Sequence, residues 1–125
     1  MGLETSLPSK VDGTAGVKVY RALVGQSGTD APVSTVRENS LGGVPVWAYV
    51  DVGEYTLTLA GAWTANKTFP LWANGLFSDA SVDGVIFQYE RVSADVLRFW
   101  PKAVDGLTAA NWSVTAAALE ILVYP

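Results

Sequence analysis

Apolar and polar residues alternate along this chain in short runs, and most runs repeat every second residue. In EYTLTL (54–59), Tyr55, Leu57 and Leu59 alternate with Glu54, Thr56 and Thr58, the pattern of a strand with one wet face. VWAYVD (46–51) precedes it across Val52-Gly53, so the two segments predict a hairpin. GVIFQYERV (84–92) places Val85, Phe87 and Tyr89 on one side and Gln88 and Glu90 on the other. Ser93-Ala94-Asp95 then turns the chain into VLRFW (96–100), which Pro101 ends, giving a second hairpin. VKVYRALV (17–24) carries Val17, Val19 and Leu23 on one face and Tyr20, Ala22 and Val24 on the other. Both faces are largely apolar, which predicts a central strand or one that faces an interface.

TFPLWA (68–73) reads as a further strand, confined by Pro70 to an edge or a bulge because proline cannot donate to a ladder. AAALEILVY (116–124) alternates Leu119, Ile121 and Val123 against Glu120. The alanines of TAANWSVTAAALE also fit a helix, whereas Val114, Thr115 and the β-branched finish favour a strand. The long polar stretch GQSGTDAPVSTVRENSLGG (25–43) divides into a turn from Gly25 to Pro32, a short strand over 33–38 and a second turn over 39–43. In that strand Val33, Thr35 and Arg37 face one way and Ser34, Val36 and Glu38 the other. The sum is an all-β chain: an antiparallel β-sandwich or jelly-roll-like barrel of about 7–8 short strands. Residues 1–15, rich in Gly, Ser, Thr and Pro without an apolar period, read as a flexible N-terminal arm, and 16–125 as one β-sandwich domain.

Composition removes most chemistry. The chain has neither cysteine nor histidine, which excludes a disulfide, a thiol nucleophile, a His-ligated zinc and a Ser-His-Asp triad. Carboxylates are the acid–base groups left, but Asp51/Glu54 and Asp79/Asp83 are each local to a turn, where Asp bonds nearby backbone. A glycosidase needs two carboxylates about 5–10 Å apart across one cleft. DASVDG (79–84) matches a calcium loop only loosely and fits a β-turn better. No catalytic residue, metal or cofactor is expected. Eight scattered basic residues and a net charge of −4 argue against nucleic acid. The longest apolar runs are about half of what a membrane-crossing helix needs, and MGLETSLPSKVDG lacks the features of a signal peptide.

Charged residues are 16% of the chain, against about 25% in typical soluble proteins, a deficit that points to surface covered by protein. Of the five tryptophans, Trp47 and Trp100 lie in strands and read as core. Trp63, Trp72 and Trp112 lie near loops and are the candidate contacts for a ligand or partner, including a host-surface glycan stacked on their rings.

Tyr20, Gln26 to Thr29, Ala31, Pro32, Asn39 to Gly42, Trp47, Gly53, Tyr55, Lys67 and Thr68 form an ordered pattern, and the chain closes on LEILVYP. That pattern resembles small β-rich virion modules of bacteriophages and prophages, especially those of Bacteroidetes hosts. The likeness covers about residues 17–73 well and the C-terminal half in outline; Arg37-Glu38 and the doubled Gly42-Gly43 depart from it. It implies a virion structural protein assembled in the host cytoplasm: a head-fibre, capsid-decoration or tail-fibre component. It further implies a homotrimer that docks on other virion proteins and carries no catalytic residues.

Overall fold

The computed structural model describes residues 16–77, 85, 86, 88–103, 111 and 114–125, with 74–77, 85, 86, 102 and 103 described by backbone alone. The N-terminal arm, Asp79, Asp83, Phe87 and Trp112 lie outside the described residues. Among those described there is no helix. The described residues form ten strands, in chain order β1 (Lys18–Gln26), β2 (Val33–Asn39), β3 (Val46–Asp51), β4 (Glu54–Thr58), β5 (Thr68–Phe77), β6 (Val85–Ile86), β7 (Tyr89–Arg91), β8 (Val96–Phe99), β9 (Lys102–Ala103) and β10 (Val114–Val123). Eight of them make two four-stranded antiparallel sheets, β2-β1-β10-β5 and β3-β4-β8-β7, while β6 and β9 pair separately. The sheets share one core, so the fold is an all-β sandwich.

Alternation decides what each sheet buries. Tyr20, Ala22 and Val24 of β1 and Ala117, Leu119, Ile121 and Val123 of β10 point inward from the first sheet. Tyr55 and Leu57 of β4 and Leu97 and Phe99 of β8 meet them from the second. Because β10 pairs with both β1 and β5, its backbone is committed to ladders on two sides, and the helical reading of its alanines fails. Pro70 sits on β5, an edge strand, where its missing N–H is harmless. The predicted β3–β4 hairpin forms around Val52 and Gly53: Gly53 takes φ 66°, and the Asp51 carboxylate accepts the Val52 N–H at 2.7 Å.

Two expectations need correction. GVIFQYERV is not one strand: the chain leaves the β6–β9 pair and enters the second sheet as β7, leaving Tyr89 exposed. The Trp100 N–H bonds the Gln88 carbonyl at 2.9 Å at that break. Pro101 ends the second hairpin as expected: β8 stops at Phe99, and beyond the proline the chain pairs with β6 as β9, because a residue without an N–H interrupts the ladder. Trp100 is half-buried rather than core, with the Arg98 guanidinium 3.8 Å above its ring.

The long polar stretch is architecture. The buried Gln26 amide donates to the Gly28 and Asp30 carbonyls at 2.8 and 3.1 Å, closing the first turn from inside. Asn39 accepts the Leu41 N–H and donates to the Gly43 carbonyl, closing the second and lowering Leu41 into the core. Between them β2 pairs with β1 as an edge strand, though both its faces are largely exposed.

Gly25 marks a close approach. The β1–β10 register shifts beside it, and a Cβ there would stand 2.9 Å from the Thr115 carbonyl oxygen. Gly25→Ala is therefore expected to lower stability by about 1–3 kcal/mol. Urea unfolding tests this; an unchanged midpoint would mean that β10 moves aside without strain.

Candidate functional site

The tryptophans do not make one exposed platform. Trp63 is fully buried, although it lies between strands. Its indole N–H donates to the Asp95 carbonyl at 3.1 Å, its backbone N–H bonds Ala94, and Arg91 donates to its carbonyl. The segment after β4 thus folds in against the β7–β8 turn, which corrects the expectation of an exposed ring. Trp72 is half-buried on β5 and turns its ring toward Phe99, 5.4 Å away, and Trp47, 6.4 Å away. Trp112 lies outside the described residues.

Of the candidate carboxylates, the two described, Asp51 and Glu54, are likewise occupied. Asp51 caps its own turn. Glu54 pairs with Arg98 at 3.3 Å, and Arg98 also reaches Glu90 at 3.5 Å. Among the described residues, no group of three or more Asp or Glu side chains is placed to hold a metal ion.

What the structure does assemble is the outer face of the first sheet. Registers place its outward residues in rows: Val19, Leu122 and Phe69; Glu38, Arg21, Glu120 and Leu71; Leu23, Ala118 and Ala73. Leu23, Phe69 and Leu71 are 39%, 46% and 53% exposed. The two alanines are shorter than their neighbours, and a shallow groove of about 450 Å³ forms over them, bordered by Leu23, Leu71, Arg37 and the Arg21–Glu120 pair. A second hollow of about 480 Å³ continues past Leu71 over Phe69, Leu122 and Tyr124. Tyr124 stacks edge-on against Phe69, ring centroids 5.5 Å apart. At strand spacings of about 4.8 Å the face covers roughly 400 Å², the size at which exposed apolar patches are commonly interaction surfaces.

Its charge is internally neutralised. Arg21 bonds Glu120 on β10 and Glu38 on β2, and these two acceptors, Glu120 first, raise the guanidinium pKa above its ordinary value. With Arg37 at the rim the face carries two arginines and two glutamates, so it repels neither sign.

Sequence reasoning caught part of this surface, because VKVYRALV is apolar on both faces. It missed Phe69, Leu71 and Leu122. The signal lay in TFPLWA, which has no polar side at all. Compared with protein-family models, curated proteins and solved structures, the chain matches none.

Since Trp63 is a core residue, Trp63→Ala is expected to cost about 3–5 kcal/mol. Chemical denaturation measures it; a loss under about 1 kcal/mol would place the ring outside the core.

Proposed function

We propose that this chain is a bacteriophage virion structural protein, of the head-fibre, capsid-decoration or tail-fibre kind, that works by self-association and docking without catalysis. The outer face of the first sheet carries this reading. Leu23, Phe69 and Leu71 stand in water there although the fold does not require apolar residues at those positions. Packing the same face of neighbouring copies together removes them from water at about 25 cal/mol per Å². The Arg21–Glu38–Glu120 group enters such a contact already paired, the condition under which charges can be buried at all.

The resemblance to phage modules supports the virion setting. Several residues that carry it, Gln26, Asn39, Ser40 and Leu41, are pins of the two turns: Ser40 Oγ accepts the Val19 N–H at 2.8 Å beside the Gln26 and Asn39 bonds. A motif of this kind marks a shared scaffold, not a shared reaction. The homotrimer is the assembly proposed, with the first-sheet faces turned toward its axis.

Sedimentation equilibrium tests the contact. The native chain is expected to associate as a trimer, and a Phe69→Lys/Leu71→Lys variant to remain folded by circular dichroism but monomeric. A native chain that stays monomeric at high concentration overturns the reading. Mass spectrometry of purified particles from a phage encoding this sequence is expected to find its peptides; their absence removes the virion setting.

A further inference from the structure

Each four-stranded sheet ends in two edge strands, whose outward N–H and C=O groups invite another strand. Proteins guard such edges with charge, proline, bulges or brevity. Three of the four edges here are guarded. β2 carries Arg37 and Glu38 with a register shift against β1 at Arg21/Ala22. β5 carries Pro70, and β7 is three residues long with Glu90 and Arg91.

β3 is different. From Val44 to Val50 there is no charged residue, and Pro45 precedes the strand without interrupting it. Its one irregularity lies at the far end, between Tyr49 and Asp51. Val44, Val46, Val50 and Val52 are 72%, 64%, 51% and 52% exposed, and Ala48 is exposed between them. Among the described residues, β4 is the only strand that pairs with β3.

We propose that the outer edge of β3 is a two-fold contact, at which β3 of a second copy adds antiparallel and continues the second sheet. A dyad at Ala48 sets Trp47 opposite Tyr49 and Val46 opposite Val50, the residue at the register shift, and leaves Pro45 and Asp51 outside the regular ladder. Two-fold symmetry brings a patch against its own image, so a charge near the axis meets its own sign. This strand has none there. The outward side chains Val46, Ala48 and Val50 of both copies then form one continuous apolar band, which a charged partner strand would leave uncovered. The contact is smaller than the roughly 800 Å² per partner of a stable dimer, so alone it forms only at high concentration, and another interface that gathers copies strengthens it. It deepens the assembly reading: a three-fold contact closes on itself, and a two-fold contact at a second surface lets closed units join. It rests on the second sheet, whereas that reading rests on the first, so the two fail separately.

The native chain has no cysteine, so Ala48→Cys places a single thiol at the proposed axis. Directly opposed antiparallel residues have Cα atoms about 4.5–5.5 Å apart, within the span of a disulfide. Mild oxidation of Ala48→Cys is expected to give a covalent dimer at least tenfold faster than Val36→Cys, a thiol at another exposed position, on guarded β2. Adding Val46→Lys, or Val50→Lys in its place, to Ala48→Cys is expected to suppress that dimer. Adding Phe69→Lys/Leu71→Lys is expected to leave it intact at high concentration while abolishing the trimer. Equal rates for Ala48→Cys and Val36→Cys overturn the β3 contact, as does insensitivity to both lysines; either result leaves the trimer measurement standing. A mixed disulfide with a different polypeptide instead of the dimer also overturns it.

Discussion

Trp47, Phe99 and Trp72 meet between the sheets, from β3, β8 and β5, and the rest of the sandwich is arranged around that contact. Phe99 stands 5.5 Å from Trp47 and 5.4 Å from Trp72, and the Trp47 indole donates to Ser34 Oγ on the opposite sheet at 2.7 Å. Because a strand alternates, this contact fixes more than three rings. Turning Trp47 inward puts Val46 and Ala48 outward; turning Trp72 inward does the same to Leu71 and Ala73. The core thus dictates which residues face water, but not that they be apolar. On β4 the outward positions are Glu54 and the threonines 56 and 58, so the same geometry accepts polar residues there.

Local pattern was readable where its consequence was local. The β3–β4 hairpin, the edge position of Pro70 and the division of residues 25–43 into turn, strand and turn all follow from neighbours in the sequence. Failures came where a distant segment decided the outcome. Trp63 looked exposed because its flanks are loop-like, yet Asp95 and Arg91, some thirty positions on, tie it into the core. GVIFQYERV looked like one strand because its alternation is unbroken, yet it serves two different pairings. The outer face was half legible for the same reason. A doubly apolar strand can be seen in sequence; that β1, β10 and β5 lie side by side, and that their alanines fall in one row to form a groove, is a matter of register.

A sheet apolar on both faces has a difficulty of its own. Hydrophobic burial distinguishes inside from outside only when the two faces differ, and register is weakly specified when they do not. The few charges of this chain answer that difficulty. On the first sheet Arg21 of β1 lies between Glu38 of β2 and Glu120 of β10, directly opposite both in register. On the second Arg98 of β8 lies between Glu54 of β4 and Glu90 of β7.

Each sheet thus holds one arginine between two glutamates on adjacent strands, always on the outward face. Slipping β10 by one residue would send Glu120 into the core and bring Ile121 to the surface beside Arg21. Both changes are unfavourable, and the first alone would strand a charge in the core. Exposed ion pairs add little to stability by themselves, so their value here lies in excluding the alternative registers. That use explains the placement of Arg21, Glu38 and Glu120 on one sheet and Arg98, Glu54 and Glu90 on the other: outward and across adjacent strands, where they select the register.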